Sequence, residues 1–176
     1  ALLLLFVRDD VGPSLGVGQK ATLQVLAAAA WLYAGFGLDA IHLPLLGTIG
    51  LGALGGVGAG LLIVGLCNVY NFMDGIDGLM AVHTLVVGCL TSYLFFQVGS
   101  SWWTVIAVLV AATAGFCLYN RPPARIFSGD VGAMFLGFTI AVFVLHGEQV
   151  GVPVWVFALL LTYFLFDTGY TLVRRA

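Results

Sequence analysis

Charged residues are scarce in this sequence. Lysine and arginine contribute six side chains and aspartate and glutamate eight, so charged residues make up 8% of the chain, whereas soluble domains carry about a quarter. Hydrophobic residues make up 61%. The composition therefore excludes an ordinary soluble domain and predicts an integral membrane protein. A net charge of −2 also gives no basis for binding nucleic acid or another polyanion.

Cysteine is equally sparse, and its spacing excludes two further classes of protein. The three cysteines are Cys67, Cys89 and Cys117. They are odd in number, far apart and flanked by apolar residues, which fits neither a disulfide framework nor a metal-binding motif. The three histidines, His42, His83 and His146, also have no neighbour at metal-ligand spacing. We interpret both sets as structural residues.

Long apolar stretches dominate the rest of the chain. They are a helix tail at 1–7 and the stretches 21–38, 46–66, 79–98, 102–119, 131–147 and 153–172. About 20 apolar residues cross a bilayer as a helix. The sequence therefore predicts an all-α, polytopic transmembrane helical bundle with about six full spans and a truncated first helix. It forms one domain over residues 1–176, which we expect to be truncated at both ends. The glycines of 46–66 favour tight helix contacts rather than a loop.

If the spans cross the membrane alternately up and down, the charged residues separate between its two faces. Alternate crossings put the connections 8–20, 67–78, 120–130 and 173–176 on one face of the membrane. Every basic residue falls on that face: Arg8, Lys20, Arg121, Arg125, Arg174 and Arg175. By the positive-inside rule this face is cytoplasmic.

The first polar cluster on that face follows the 46–66 stretch. Four polar residues recur at a spacing of three: Asn68, Asn71, Asp74 and Asp77. Gly75 and Gly78 between and after the aspartates would let a ligand approach the backbone closely. Carboxylate and amide oxygens suit Mg²⁺ and can also accept hydrogen bonds from a nucleoside. The alternative is a polar turn that caps a helix end, which explains one or two of the four residues.

The second cluster runs from Asn120 to Gly132. Pro122 and Pro123 stiffen it, and Gly129 permits a tight turn before the next apolar stretch. Phe127 could stack on a base or, alternatively, pack as a hydrophobic staple at the helix start.

The third cluster is the pair Asp9 and Asp10, with Lys20 ten residues further on. Paired carboxylates at a membrane surface could orient a metal or take a proton from a lipid headgroup. A solvated loop start is the alternative, and the pair gains weight only because it shares the face of the other two clusters.

These three motifs together resemble the polyprenyl-phosphate N-acetylhexosamine-1-phosphate transferases. That superfamily starts O-antigen, enterobacterial common antigen and teichoic acid synthesis in bacteria and includes phospho-N-acetylmuramoyl-pentapeptide transferase. Phe72 and Met73 look more like the O-antigen and teichoic-acid initiators than the peptidoglycan branch. The resemblance implies transfer of a sugar 1-phosphate from a UDP-N-acetylhexosamine to undecaprenyl phosphate, with release of UMP.

The resemblance also implies roles for individual residues. Asn71 and Asp130 match the ligands of Mg²⁺, for which Mn²⁺ can substitute. Asp9, Asp10 and Asp130 match catalytic positions, the first two at the lipid phosphate. The remaining matches are substrate-binding positions: Lys20, Asp74, Gly75, Asp77, Asn120 and Phe127. The implied setting is the bacterial inner membrane with the site facing the cytoplasm; a homodimer is compatible with the sequence, which does not itself define the oligomeric state.

Two other functions stay open at this point. An ion- or proton-coupled transporter would also carry acids in a membrane, although it predicts them near the midplane and in paired halves. An inactive family member would keep the motifs without turnover. The resemblance further places a His-containing loop beyond residue 172, so we expect residues 1–176 alone to have little transferase activity.

Overall fold

Helices account for most of the described part of the protein. The computed structural model describes residues 16–175. Its elements in chain order are α1 (Val17–Tyr33), β1 (Ala40–Leu43), β2 (Gly47–Gly50), α2 (Ala53–Met73), α3 (Leu79–Gln97), α4 (Trp102–Asn120), α5 (Gly129–Val150), α6 (Val154–Leu160) and α7 (Thr162–Arg175). The predicted polytopic helical membrane fold is confirmed.

The number of membrane spans differs from the prediction. Within residues 16–175, α2, α3, α4 and α5 are long and apolar enough to cross a bilayer. The predicted span 153–172 is instead two helices, α6 and α7, bent by 71° at a break. Counting that pair as one span gives five at most. The helix α1 has 17 residues, at the lower limit of the ~17–25 that cross a bilayer core, and is not one of these four helices.

A β-hairpin replaces the first part of the predicted span 46–66. Strands β1 and β2 pair antiparallel, with Ala40 opposite Gly50 and Leu43 opposite Gly47. Gly47 and Gly52 adopt φ angles of 75° and 51°, which a residue with a side chain rarely tolerates. These glycines therefore turn the chain, and the helix begins only at Ala53 and runs on to Met73. The expectation of a glycine-rich helix from residue 46 was wrong.

The core lies along the contact between α2 and α5. Gly137 makes this contact close, since a Cβ at that position would lie 2.5 Å from the Leu66 carbonyl oxygen and 2.7 Å from the Cys67 Cα. Fully buried side chains line the same contact, including Ile63 and Ile140. Helices α2 and α5 therefore pack closely as a pair. Two of the predicted polar clusters lie at the end of α2 and at the start of α5.

A buried carboxylate fixes the end of the bundle that carries the hairpin. Glu148, only 5% exposed, accepts hydrogen bonds from the backbone N–H of His42 at 2.6 Å and of Val154 at 2.5 Å. Its Oε1 also lies 2.6 Å from the His42 Nδ1. Gln149 adds a hydrogen bond to the Gly37 carbonyl at 3.0 Å. These contacts join the hairpin to α5 and α6 at the end opposite Lys20 and Asp130.

Candidate functional site

The start of α3 and the end of α4 meet at a single buried amide side chain. Asn120, the last residue of α4, is 5% exposed. Its Oδ1 accepts a hydrogen bond from the Gly78 N–H at 3.0 Å, and its Nδ2 donates to the Ile126 carbonyl at 2.9 Å. Gly78 has a φ angle of 77°. One side chain thus ties the segment 74–78 to the loop 121–128.

Two further contacts hold the same segments together. The Asp77 carboxylate accepts a hydrogen bond from the Ala124 N–H at 2.9 Å. The Ser128 hydroxyl donates to the Asp74 carboxylate at 2.5 Å. Ser128 occupies the N-cap position of α5 but makes no cap hydrogen bond to its own helix, although capping is the usual role of serine there. Its hydroxyl is engaged across the site instead.

Lysine 20 supplies the positive charge of the site. Its ammonium group forms an ion pair with Asp130, and both side chains are partly buried. Asp130 lies in the first turn of α5, where the helix dipole stabilises a carboxylate. This ion pair brings α1 to the polar end of the α2–α5 pair.

Two carboxylates of the site, those of Asp74 and Asp130, repel each other. Burial raises the pKa of Asp74 above its ordinary value, the hydrogen bond from Ser128 lowers it, and the nearby charge of Asp130 raises it further. The Asp130 carboxylate is therefore close enough to repel that of Asp74. Such a pair of carboxylates is stabilised by a cation between or beside them.

The structure places five of the predicted site residues at the same end of the bundle, where each makes a hydrogen bond or an ion pair with a neighbouring segment: Lys20, Asp74, Asp77, Asn120 and Asp130. Asn71 lies in the last turn of α2, partly buried. Gly75 is exposed, and Phe127 is 74% exposed. Asp9 and Asp10 lie outside the described residues, so their predicted placement stays a prediction.

Two participants in the site were missed by sequence reasoning. Ser128 had a usable signal, because a serine immediately before the first helical residue commonly makes a side-chain hydrogen bond. Gly78 was noted for its flexibility, but no sequence pattern indicates that its N–H is bonded to Asn120. Long-range partners of this kind depend on helix packing that local sequence does not encode.

The donor set of this end suits a hard divalent cation. Among residues 16–175, no group of three or more His, Cys, Asp or Glu side chains is placed to hold a metal ion. The two neighbouring carboxylates of Asp74 and Asp130, with the amide oxygen of Asn71 three residues before Asp74, are nevertheless the oxygen ligands that Mg²⁺ prefers. The negative charge of Asp130 contributes to the raised pKa of Asp74, and the ammonium of Lys20 already offsets part of that charge.

Comparisons with known proteins identify the family of the chain. The model of a family described as glycosyl transferase family 4 matches residues 1–148. The chain is 31% identical, over 99% of its length and 50% of the relative's, to a probable undecaprenyl-phosphate N-acetylglucosaminyl 1-phosphate transferase of Bacillus subtilis.

Two phospho-N-acetylmuramoyl-pentapeptide-transferases are also similar. The protein of Chlamydia muridarum is 43% identical over 55% of this chain and 32% of its own length. That of Latilactobacillus sakei is 31% identical over 82% of this chain and 46% of its own length. The chain thus spans half or less of these curated relatives. The apolar helices and the bacterial relatives together indicate a multi-pass bacterial membrane protein.

Proposed function

Because the chain belongs to glycosyl transferase family 4, we propose that the protein transfers N-acetylhexosamine 1-phosphate from a UDP-sugar to undecaprenyl phosphate and releases UMP. The observation that carries this proposal is the cluster of Lys20, Asp74 and Asp130 where α1, α2 and α5 meet at one end of the apolar bundle. The product would start a cell-surface polysaccharide such as O-antigen or teichoic acid.

The cluster has the electrostatic properties that this reaction needs. A lipid phosphate that attacks a pyrophosphate joins two anions, so positive charge must offset their repulsion. The Lys20 ammonium is held at the site by Asp130 and can exchange this carboxylate for a phosphate oxygen. We propose that Lys20 binds phosphate and that Asp9 and Asp10 orient the acceptor lipid.

The proposed metal is Mg²⁺, with Mn²⁺ as a substitute. Asn71 and Asp130 would hold it, and Asp74 would lie beside it. When bound, the ion would supply charge neutralisation to the pyrophosphate and to the departing UMP. The Ser128 hydroxyl holds the Asp74 carboxylate in one orientation, which keeps its second oxygen at a fixed position.

The segments 74–78 and 121–128 would form the nucleoside pocket. Asp77 and Asn120 are both hydrogen-bonded to backbone groups of these segments, so we propose that Asn120 shapes the pocket. The exposed ring of Phe127 is free to stack on uracil, and Gly75 permits close approach of the donor. Basic residues at this end, including Lys20, Arg121 and Arg125, favour a cytoplasmic orientation by the positive-inside rule.

Release of UMP is the direct test. The full-length protein that contains residues 1–176, purified in detergent, would be supplied with undecaprenyl phosphate and a panel of UDP-N-acetylhexosamines, with and without Mg²⁺. We expect release that needs both the lipid and the ion. An Asp130→Asn variant should lose ~10²–10³-fold in rate, as sites that lose one key charge-stabilising group do.

An Asp39→Asn variant is the matched control. Asp39 is exposed next to the hairpin, at the other end of the bundle, so the same substitution there should leave the rate unchanged. Absence of UMP release with every donor, from protein that remains monodisperse, would overturn the proposal. Equal losses in both variants would show that the polar cluster has no special role.

A further inference from the structure

An open pocket with a basic lining lies beside the last turn of α4. Its volume is about 570 Å³, and its lining residues are Leu118, Tyr119, Arg121, Pro122, Pro123 and Arg125. The loop 121–128 was proposed above as part of the nucleoside pocket through Asn120 and Phe127, but neither of these residues lines this pocket, and the two arginine side chains were given no contact with the nucleotide. The pocket is formed by a single stretch of chain where α4 ends and the loop to α5 begins.

The two guanidinium groups of this pocket have no acidic partner in the part of the chain that the structure describes. Arg121 and Arg125 are both exposed, and within residues 16–175 neither forms an ion pair. Lys20, by contrast, is paired with Asp130 at the same end of the bundle. A guanidinium is a planar set of donors that binds phosphate oxygens in pairs, so two unpaired guanidiniums around one pocket indicate an anionic ligand.

The apolar part of the rim indicates where that anion comes from. Leu118 is 64% exposed and Tyr119 is 56% exposed, and both continue the outward apolar surface of α4. Only 11% of the apolar 18-residue segment of α4 is buried within the structure. An arginine pair at the end of an exposed apolar helix matches the depth at which lipid headgroups lie.

The pocket is held in shape by contacts that do not use the arginine side chains. The Arg125 backbone N–H donates to the Tyr119 carbonyl at 2.8 Å, and the neighbouring Ala124 N–H donates to Asp77 at 2.9 Å. Asn120, which lies in the sequence between Tyr119 and Arg121, is buried and hydrogen-bonded to both Gly78 and Ile126. The guanidiniums can therefore bind a ligand without a costly rearrangement of the loop.

We propose that this pocket binds the phosphate group of an anionic phospholipid, with Arg121 and Arg125 as the headgroup ligands and Leu118 and Tyr119 against the first part of the acyl region. The shared chemistry is a phosphate anion at the membrane surface, and the apolar rim favours the lipid over a free phosphate. This binding does not depend on the transfer reaction.

Lipid binding to the detergent-solubilised protein tests the proposal. Native mass spectrometry at a fixed salt concentration would compare phosphatidylglycerol, which is anionic, with phosphatidylcholine, which is zwitterionic. We expect preferential retention of phosphatidylglycerol. Replacing both arginines, Arg121→Gln with Arg125→Gln, should weaken its affinity roughly 30-fold, since each juxtamembrane arginine contributes about fivefold at an anionic surface.

Two control variants separate a defined pocket from general surface charge. Arg174→Gln removes one exposed charge from α7 and should leave the affinity unchanged, whereas either single pocket variant should lower it about fivefold. The double lysine variant keeps both charges and should stay closer to the wild type than the glutamine variant. It also reports on the pocket if the glutamine variant fails to fold.

Three results would contradict the proposed lipid site. Equal retention of the two lipids, or an unchanged preference in the double glutamine variant, would overturn the proposal. Inorganic phosphate in a further arm identifies the source of the anion. If millimolar phosphate displaces phosphatidylglycerol completely, the arginines form a site for free phosphate and the lipid assignment is wrong.

Discussion

The Asn120→Ala substitution should loosen the polar end of the bundle without unfolding the membrane helices. Asn120 makes two hydrogen bonds, one from the buried Gly78 N–H and one to the Ile126 carbonyl. Ile126 is 41% exposed, so water can replace the amide at its carbonyl. The Gly78 N–H is buried and would keep no partner, which costs ~1–3 kcal/mol.

A local loss of about 2 kcal/mol corresponds to a roughly 30-fold change in an opening equilibrium. Hydrogen–deuterium exchange measures this directly, because exchange of an amide reports the free energy of its local opening. We expect exchange in the segment 74–79 to accelerate by about this factor, while exchange in the middle of α2 and α5 stays the same. UMP release should fall as well, since the pocket loses its fixed shape.

The Asn120→Asp variant separates the two hydrogen bonds. Its carboxylate can still accept from the Gly78 N–H but has no N–H to donate to Ile126. Exchange near Gly78 should therefore stay close to that of the wild type. If alanine changed exchange near Gly78 by less than twofold, or if aspartate and alanine behaved alike, the bond between Asn120 and Gly78 would not hold this end together.

Three further substitutions test other parts of the structure. Without divalent ions, Asp74→Asn should raise the melting temperature at neutral pH, because it removes a carboxylate whose pKa is raised by burial and by Asp130. This gain should vanish in acid, where the aspartate is already protonated. An unchanged melting temperature at neutral pH would contradict this prediction. Gly137→Ala should destabilise the protein by ~1–3 kcal/mol through overpacking, whereas Gly65→Ala, which meets no atom within 4 Å, should be neutral or slightly stabilising in thermal unfolding. Glu148→Ala should expose the hairpin to proteolysis, because the backbone N–H groups of His42 in the hairpin and Val154 in α6 lose their shared acceptor on α5; an unchanged cleavage rate would show that the hairpin is held by other contacts.

Hydropathy predicted the helical membrane fold but not its interruptions. The stretch 46–66 is apolar throughout, and apolarity alone cannot distinguish a helix from a hairpin whose glycines turn the chain. The positive φ angles of Gly47 and Gly52 arise from this turn. The break between α6 and α7 is harder still to predict, because Leu161 and its neighbours carry no proline or glycine.

The site was predicted in part because its residues are costly in a membrane protein. Aspartates and asparagines next to apolar helices indicate function by their presence alone, and the structure places four of those predicted residues, Asp74, Asp77, Asn120 and Asp130, at one end of the bundle. The partners could not be predicted, since Ser128 and Asp74 lie 54 residues apart and meet only through helix packing. The same holds for Glu148 and His42 at the other end, for which the sequence indicated no partner.

The close approach of α2 and α5 at Gly137 has a consequence for the chemistry at their ends. Gly137 lies seven positions along α5 from Asp130, or ~10 Å along the helix axis, and its contact with Leu66 and Cys67 is deep in the apolar core. Since α2 leads directly to Asp74, the size of residue 137 sets the separation of the two carboxylates from a distance. A substitution far from the polar end could thereby alter the fit of the proposed cation.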